Sequence, residues 1–248
     1  GREREFSCHG ARCFRVRVPG IGPAKAVYYD VAAFWRCLRY IHKKHIQKPV
    51  VYVLACRIGP FIRPLYARLK RYGGYLFVNP DGHEWMRGKW NRLIQRYWRY
   101  SEEGMVRQSD LLICDSRQME GYIKETYKKY SPKTMYLSYG ADVEETSRES
   151  RRRLNQWYES HLVREQEYFL IVGRFVPENN YEIMLREFIR SKVKKDLVVV
   201  SEINCPRFYR RLKKSTGFPL DSRIKWVGGV YDSELLKGIR MGAFAYLH

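Results

Sequence analysis

Residues 169–180 read FLIVGRFVPENN, and they carry the clearest indication of the fold class. Its first four residues form a continuous apolar run, which is typical of a parallel strand that is buried on both faces. Gly173 lets the backbone turn sharply after that run, and a helical pattern follows. A buried strand that passes through a tight turn into a helix predicts an α/β fold.

The same order of apolar runs and helical patterns recurs along the sequence. It predicts a doubly wound α/β architecture, in which helices cover both faces of parallel sheets. The predicted strands are residues 50–55, 75–79, 111–114, 134–138, 169–172, 197–200, 224–227 and 243–247. The predicted helices are residues 30–45, 61–71, 89–107, 118–130, 178–190 and 233–241.

A densely charged segment, residues 144–153, interrupts this order and has no strand pattern. We interpret it as part of the connection between two Rossmann-like domains. The expected boundaries are 1–145 for the first domain, 146–166 for the connection with a short helix near residues 154–160, and 167–248 for the second domain.

The amino-acid composition indicates a folded and strongly basic protein. Hydrophobic residues make up 45% of the chain and aromatic residues 15%, which excludes disorder for most of it. Lys and Arg number 47 against 26 Asp and Glu, a formal net charge of +21. Such a charge suits a nucleic acid, an anionic membrane, a diphosphate-bearing substrate or simply a solvated basic surface, and charge alone leaves these interpretations open.

Several site types are not expected. The six cysteines include no CxxC pair, which argues against a zinc site or a redox dithiol and favours a reducing, cytosolic compartment. No run of about 18 apolar residues is present, which argues against a membrane-spanning helix. The GxGxxG, GxxxxGK[ST], GxSxG and HExxH patterns of dinucleotide, P-loop, hydrolase and metalloprotease sites are also missing from the sequence.

Ligands of open α/β sheets bind beyond the carboxyl ends of the strands. Arg174 follows such an end, where its planar guanidinium could hold a diphosphate with two hydrogen bonds. A solvated arginine beside a tight turn is the alternative interpretation. His83 follows another predicted strand, with Asp81 nearby. It could act as a proton shuttle or as a hydrogen-bond donor to a sugar hydroxyl, or it could simply pack.

The third predicted helix is amphipathic. Arg92, Arg96 and Arg99 share its basic face, and apolar side chains, among them Trp90 and Leu93, share the opposite face. One interpretation is a helix that packs on the core and exposes a solvated basic face. The other is contact with an anionic membrane through Trp90 and the three arginines, since Trp and Arg together favour a membrane interface.

Two long motifs carry a family resemblance. Residues 78–90 read VNPDGHEWMRGKW, and residues 172–180 read VGRFVPENN. Shorter matches lie at residues 113–116 (ICDS), 139–142 (YGAD) and 226–232 (WVGGVYD). Together these motifs resemble the bacterial rhamnosyltransferases of glycosyltransferase family 4, and they spread along nearly the whole chain.

The resemblance implies a two-domain GT-B fold with the active site in the cleft, here as a fragment that lacks parts of both domains. It implies transfer of L-rhamnose, with retention of configuration, from dTDP-L-rhamnose to a sugar on a polyprenyl diphosphate. Such enzymes act in capsular or cell-wall polysaccharide synthesis, peripherally on the cytoplasmic face of the bacterial plasma membrane. No metal ion or cofactor is expected, and the Asp-x-Asp pair of metal-dependent GT-A enzymes does not occur in the sequence.

Motif position assigns the donor side. Gly173 and Arg174 would contact the donor diphosphate, and Arg174 would stabilise charge on the leaving group. Related GT-B enzymes have a lysine several residues after this arginine, whereas residues 178–180 of this chain read ENN. A glycine-rich loop and helix with two glutamates would follow in the family, so we expect the active site of the 248 residues to be incomplete.

The acceptor side and the base site are assigned in the same way. His83, with Asp81, would be catalytic and would face the transferred sugar and the acceptor hydroxyl. Gly228 and Gly229 would lie near the nucleotide base and contact it through backbone groups. These roles come from the resemblance alone.

Two alternatives stay open. A GT-B transferase that uses a UDP-hexose fits the same motifs, because none of these residues reads the stereochemistry of the sugar. A basic nucleic-acid-binding α/β protein fits the charge, but it predicts aromatic and basic residues interleaved on an exposed sheet or groove. The basic residues here lie mostly on predicted helices, and no nucleic-acid-binding motif occurs in the sequence. We therefore expect no specific nucleic-acid partner.

Overall fold

The computed structural model describes residues 5–86, 90–140 and 148–248. The chain divides into a first unit, Gly1–Ala141, and a second unit, Asp142–His248. In its described part, each unit has a four-stranded parallel sheet with helices packed against it. The predicted α/β fold with two Rossmann-like parallel sheets is therefore confirmed.

The first unit begins with an antiparallel hairpin and continues with alternating helices and parallel strands. Its elements are β1 (Glu5–Cys8), β2 (Ala11–Phe14), α1 (Lys25–Lys43), β3 (Val50–Leu54), α2 (Gly59–Lys70), β4 (Tyr75–Asn79), α3 (Arg92–Gln108), β5 (Leu111–Cys114), α4 (Arg117–Thr126) and β6 (Thr134–Tyr136). The parallel strands lie side by side in chain order, β3-β4-β5-β6. Their carboxyl ends therefore lie along one edge of the sheet.

The second unit has a different strand order. Its elements are α5 (Arg148–His161), β7 (Tyr168–Val172), α6 (Tyr181–Ser191), β8 (Asp196–Val200), α7 (Pro206–Thr216), β9 (Ile224–Gly228), α8 (Ser233–Met241) and β10 (Ala245–Tyr246). The sheet has the order β10-β7-β8-β9. The chain moves outward from β7 to β9 and then returns to pair β10 with the other side of β7. This reversal is the topological switch point of the sheet.

The core of the first unit lies between the sheet and the helices. Leu76 and Val78 of β4 and Leu112 of β5 are fully buried, and Ile62 and Leu69 of α2 are buried in the same cluster. Full burial of one such side chain contributes roughly 1.5–3 kcal/mol relative to exposure. The central strands are therefore fixed by apolar packing, and their ends are the places where polar groups can be presented.

The core of the second unit is rich in aromatic rings. Phe175 is 1% exposed, and its ring centroid lies 4.6 Å from that of Phe208 and 5.3 Å from that of Trp226. Tyr181 stacks on Trp226 at 5.8 Å. Aromatic pairs contribute about 0.5–1.5 kcal/mol beyond the area that they bury. These rings hold the segment that follows β7 against the sheet.

Helix α5 occupies most of the segment that the sequence suggested as a connection. Leu154 and Trp157 are buried in one cluster with Tyr168 of β7 and Ile239 of α8. The part of residues 146–166 from Arg148 onward thus contributes to the core of the second unit. Residues 146 and 147, like the motif residues 87–89 and 141–142, lie outside the described residues.

Two helices begin later than their patterns predicted. Helix α3 begins at Arg92, because the Asn91 side chain accepts a hydrogen bond from the Ile94 amide at 3.0 Å and caps the helix. Helix α6 begins at Tyr181, because Asn180 adopts the left-handed conformation with φ of 54°. A single 3-10 turn, Pro177–Asn179, precedes it.

Three elements, namely the two strands of the β1–β2 hairpin and helix α7, were not predicted. The β1–β2 hairpin is short and mostly exposed, so it has no alternation of buried and exposed residues to reveal it. Helix α7 buries only Phe208 and Leu212 and exposes a basic face. Its start carried a usable signal, since Pro206 occupies the first helical turn, where proline is favoured.

We expect Gly59→Ala to destabilise the first unit. Helices α2 and α3 approach so closely at Gly59 that a Cβ atom there would lie 2.0 Å from the Ser101 carbonyl oxygen. The backbones must separate to admit a methyl group, at a cost of roughly 1–3 kcal/mol or more in the free energy of unfolding. Urea unfolding followed by circular dichroism measures this cost.

The matched control for that substitution is Gly121→Ala. Gly121 lies in α4 with no heavy atom within 4 Å of its ideal Cβ position, so alanine there should be neutral or stabilise by up to about 1 kcal/mol. Equal unfolding free energies for the two variants would contradict the close approach of α2 and α3.

We expect Asp110→Asn to destabilise the protein at neutral pH but not in acid. Asp110 accepts hydrogen bonds from Lys70 Nζ (2.7 Å), Tyr66 Oη (3.0 Å) and the Leu76 amide (2.7 Å). Burial raises the pKa of Asp110, but these donors outweigh it and lower the pKa below the usual value. The folded-state pKa is thus below the unfolded one, so the stabilisation is present above about pH 4 and is lost as pH falls through the folded pKa.

Urea unfolding of both forms between neutral pH and pH 3 measures this dependence. The variant should lose about 1–2 kcal/mol at neutral pH, and the difference should shrink in acid. Asp115→Asn is the control, because no described residue pairs with that carboxyl group. A pH-independent difference would show that the charge of Asp110 is not involved.

Candidate functional site

The strand order of the second unit places a crevice at the end of β7. Strand β10 pairs with one side of β7, and β8 pairs with the other side. The chain therefore continues from β7 toward one side of the sheet and later returns to the other side. Ligands of open α/β sheets bind in such crevices, beyond the carboxyl ends of the strands. The Tyr246 hydroxyl of β10 donates a hydrogen bond to the Val172 carbonyl at 2.9 Å, which holds the two strand ends together.

Gly173 forms a tight junction just after β7. Its carbonyl oxygen accepts hydrogen bonds from the Ser201 hydroxyl at 2.7 Å and the Tyr181 hydroxyl at 3.0 Å. A Cβ atom at Gly173 would lie 3.1 Å from Asn179 Nδ2 and 3.5 Å from the Tyr181 hydroxyl. The position therefore has little room for a side chain, and β7, β8 and α6 are pinned to each other at this point.

Arg174 and Phe175 are adjacent in sequence and opposite in environment. Phe175 is buried among aromatic rings, whereas Arg174 is exposed. The Arg174 carbonyl accepts hydrogen bonds from Asn179 Nδ2 at 2.8 Å and from the Val176 amide at 2.9 Å. No ion pair engages the Arg174 guanidinium within the described residues. Its backbone is thus held in place while its cation is available to a ligand.

A cavity of about 340 Å³ opens at this edge and is referred to below as the donor-side cavity. It brings together Gly173, Arg174 and Gly229, three of the residues predicted for the donor; Gly228 ends β9 beside them, with φ of 77°. A Cβ atom at Gly229 would lie 2.8 Å from Cγ of Glu202. The lining residues are Val172, Gly173, Arg174, Phe175, Val200, Ser201, Glu202, Asn204, Gly229, Val230 and Tyr231.

Four polar residues of this cavity were not predicted from the sequence. Ser201, Glu202 and Asn204 follow β8, and Tyr231, which is 84% exposed, follows β9. The strand-end rule that selected Arg174 applies equally to the residues after β8 and would have found the first three. The cavity therefore offers one cation, one carboxyl group, amide and hydroxyl groups and an exposed aromatic ring.

The first unit has a small cavity at the carboxyl ends of β3 and β4, about 20 Å³ in volume. Asp81 is exposed there in the left-handed conformation with φ of 57°, and its amide donates a hydrogen bond to Asn79 Oδ1 at 2.7 Å. This turn fixes the direction in which the loop leaves β4. The lining residues are Ala55, Cys56, Arg57, Pro80, Asp81, Gly82, Glu84, Trp85, Trp98 and Glu102.

The structure does not join the two predicted catalytic residues to each other. Asp81 lines the small cavity, whereas His83 lies against the Tyr122 ring at 4.2 Å between centroids and near Trp85 at 5.6 Å. The buried Nδ1 atom of His83 has no hydrogen-bond partner among the described residues. The Nε1 atoms of Trp85 and Trp98 are likewise buried without a hydrogen-bond partner among the described residues.

Glu102 is a buried acidic residue that no sequence pattern singled out. It is 5% exposed, and its Oε1 atom accepts hydrogen bonds from the hydroxyls of Tyr122 at 2.7 Å and Tyr127 at 2.6 Å. Burial, followed by the bond to Glu102, raises the pKa of Tyr122 to about 12. The same two causes raise the pKa of Tyr127. Both phenols are therefore protonated donors at neutral pH, and they hold a carboxyl group that lines the small cavity.

The residues predicted for membrane contact differ in their surroundings. Arg92, Arg96 and Arg99 are exposed, and so is Leu93 at 74%, although it was expected on the packed face. Trp90 instead donates a hydrogen bond to Glu84 Oε1 at 2.9 Å. No described helix is long and apolar enough to cross a membrane.

Trp90 contributes to an apolar groove of about 440 Å³ in the first unit. Trp98 lines both this groove and the small cavity beside Asp81, so the two are neighbours across one ring. Among the described residues, no three His, Cys, Asp or Glu side chains are grouped as metal ligands. The residues lining the groove are Ile21, Ala24, Val27, Phe61, Trp90, Ile94, Tyr97 and Trp98.

Comparison with solved structures extends the description of the fold. HepE of Anabaena in complex with UDP is similar with a TM-score of 0.56 and 13% identity, over 83% of this chain and 54% of HepE. A glycosyltransferase from Rickettsia africae has a TM-score of 0.57 and 14% identity, over 91% of this chain and 57% of the Rickettsia chain. The catalytic domain of starch synthase IV from Arabidopsis thaliana, bound to ADP and acarbose, has a TM-score of 0.59 and 11% identity. This match covers 88% of this chain and 56% of the starch synthase chain.

The chain thus spans just over half the length of these structures, and at such identities the similarity shows the fold alone. That fold is the GT-B type of α/β fold, with a Rossmann-like parallel sheet in each unit. No curated protein matches the chain. Residues 1–142, more than half of the chain, match a family model, so the chain belongs to the family described as Domain of unknown function (DUF1972).

Proposed function

We propose that the chain is part of a retaining glycosyltransferase that uses a nucleotide-sugar donor. The observation that carries this proposal is the donor-side cavity, where an arginine without an ion pair among the described residues lies at the switch point of a parallel sheet. The fold supports it, because HepE was solved with UDP and starch synthase IV with ADP. The motifs at residues 78–90 and 172–180 favour dTDP-L-rhamnose as the donor.

In the proposed reaction the bond between the anomeric carbon of the donor and a diphosphate oxygen breaks. The electron pair of that bond leaves with the nucleoside diphosphate, and negative charge builds up there. Arg174 can donate two parallel N–H bonds to this group without first breaking an ion pair with any described residue. We assign the stabilisation of the leaving group to Arg174, without a metal ion.

The remaining donor-side groups suit the rest of such a ligand. Gly228 and Gly229 offer backbone groups for the nucleotide base, close to the exposed Tyr231 ring. Glu202 would repel a phosphate, and we therefore place it near sugar hydroxyls, to which a carboxylate can accept hydrogen bonds.

We assign the acceptor to the first unit. The exposed carboxyl group of Asp81 can accept the hydrogen of an acceptor hydroxyl as the new glycosidic bond forms. His83 is the second candidate, because its buried Nδ1 atom has no partner among the described residues. The apolar groove, which shares Trp98 with the cavity at Asp81, fits the hydrocarbon chain of a polyprenyl-diphosphate-linked sugar.

We further propose that the protein acts in capsular or cell-wall polysaccharide synthesis, peripherally on the cytoplasmic face of the plasma membrane. The net charge of +21 supports contact with an anionic lipid surface. Arg92, Arg96 and Arg99 are exposed and can take part, together with Trp90, which lines the groove.

Arg174→Ala should lower sugar transfer by roughly 10²–10³-fold, the loss typical of one electrostatic stabiliser of the transition state. The assay uses the complete gene product that carries this chain, with polyprenyl-diphosphate-linked glucose or N-acetylglucosamine as acceptor. Donors are dTDP-L-rhamnose and UDP-hexoses in parallel, and the products are identified by mass.

Transfer of a deoxyhexose from dTDP-L-rhamnose alone would support the rhamnose assignment, and transfer of a hexose from a UDP-sugar would overturn it. Arg174→Lys should recover only part of the activity, because an ammonium keeps the charge but loses the planar fork. Arg240→Ala, an exposed arginine on α8, is the control and should retain full activity. Full activity of Arg174→Ala would contradict its role at the diphosphate.

Gly229→Ala and Gly228→Ala should separate ligand binding from stability. The added methyl group at Gly229 meets the flexible Glu202 side chain and the Tyr231 ring, 2.8 Å and 3.0 Å away, so it disturbs the cavity more than the fold. Gly228 has positive φ and open space around it, so alanine there costs about 1–2 kcal/mol of stability by backbone strain.

The measurement is the melting temperature of each variant without and with dTDP or UDP. Gly229→Ala should melt close to wild type but respond less to nucleotide, whereas Gly228→Ala should melt lower in the absence of any ligand. Unchanged nucleotide response in Gly229→Ala would place the base elsewhere.

A further inference from the structure

Positive charge is concentrated near the start of the chain. Residues 1–100 contain 21 Lys and Arg but only 5 Asp and Glu. Part of this excess lines a cleft of about 370 Å³ between the β1–β2 hairpin and the C-terminal half of α1, referred to below as the basic cleft. Its cations are Arg12, Arg36, Arg39, Lys43 and Lys44.

Two of these cations are held in fixed positions by an aromatic pair. The rings of Phe14 and Tyr40 pack at 5.4 Å between centroids. The Arg12 guanidinium lies 5.3 Å from both rings and donates a hydrogen bond to the Tyr40 hydroxyl at 3.1 Å. The Arg36 guanidinium lies 4.8 Å from the Phe14 ring. Cation–π contacts of this kind orient guanidinium groups without neutralising them.

The carboxyl groups of the cleft do not balance its cations. Glu5 is the acidic residue among those that line it, and it forms an ion pair with Arg12. Arg36, Arg39, Lys43 and Lys44 form no ion pair within the described residues. Close like charges repel, so an anion that entered the cleft would relieve an unfavourable interaction.

Helix stabilisation explains only part of this arrangement. Lys43 is in the last turn of α1 and Lys44 caps it, where cations interact favourably with the helix dipole. Arg36 and Arg39 lie one to two turns earlier and gain nothing from the helix end. Their convergence with Arg12 on one cleft therefore points to a ligand.

We propose that the basic cleft binds the phosphate groups of an anionic ligand. Guanidinium forks match the oxygens of a phosphate, and lysines supply further donors. The cleft is large enough for a phosphate group and part of the alcohol esterified to it. A lipid headgroup and a small soluble diphosphate both have about this size. The site does not depend on the proposed transfer reaction and can be tested without it.

Arg39→Gln/Lys43→Gln is the variant that tests the site. Both side chains are exposed and one turn apart on α1, so their replacement should leave the fold intact. Arg210→Gln/Lys214→Gln is the matched control, because it removes the same two charges from exposed positions one turn apart on α7. Circular dichroism and the melting temperature verify that both variants are folded. If Arg39→Gln/Lys43→Gln does not fold, Lys44→Gln takes its place as the test variant.

Two ligands distinguish the sources of phosphate. One experiment measures co-sedimentation with vesicles of phosphatidylglycerol and phosphatidylcholine, with phosphatidylcholine alone as reference. The other titrates inorganic pyrophosphate calorimetrically. In at least one of them, Arg39→Gln/Lys43→Gln should weaken binding roughly tenfold or more, and the α7 control by less than about twofold.

A loss confined to the vesicles would identify the ligand as a lipid headgroup, and a loss of pyrophosphate binding would identify a soluble phosphate. Either result supports the site. The proposal would be overturned if the wild-type chain bound neither ligand, or if the two variants weakened binding equally, since the effect would then belong to the basic surface as a whole.

Discussion

Parallel strand pairing determines where each unit of this protein can present polar side chains. In the second unit β8 lies between β7 and β9, and Leu197, Val198, Val199 and Val200 are at most 3% exposed. The backbone groups of such a strand are bonded to its neighbours, and its side chains must be apolar on both faces. Polar side chains can therefore be presented only where the strands end. The carboxyl ends meet at one edge, so any chemistry of this unit has to be gathered there.

The end of β7 shows how that edge is made rigid without using the side chain that a ligand would need. Two hydroxyl groups, from Ser201 and Tyr181, bond to the Gly173 carbonyl, and the buried Phe175 ring anchors the next turn. Arg174 stands between these anchors with its backbone fixed and its guanidinium exposed. A binding group is most effective when its neighbours, rather than its own bonds, determine its position.

Local patterns were sufficient to predict most strands and the position of Gly173 and Arg174 at a strand end, because a buried run, a glycine and a polar residue follow each other directly. Glu102 could not be found in this way. Its partners Tyr122 and Tyr127 come 20 and 25 residues later, and the sequence around it reads as an ordinary charged helix. Leu93 was misplaced for a related reason, since helix periodicity identifies a face but not which neighbours will cover it.

Charge is distributed differently in the two units. Residues 1–141 hold 27 Lys and Arg against 11 Asp and Glu, and residues 142–248 hold 20 against 15. Several cations of the second unit are neutralised by ion pairs, among them Arg151 with Glu165 and Arg223 with Asp221, whereas Arg174 has no ion-pair partner among the described residues. The field of the first unit attracts any anion and weakens with salt over a Debye length of about 10 Å at 0.1 M. A single arginine at a fixed strand end acts only at contact distance. In the proposed function, Arg174 therefore sets the position of the anion, and the wider field raises the local anion concentration.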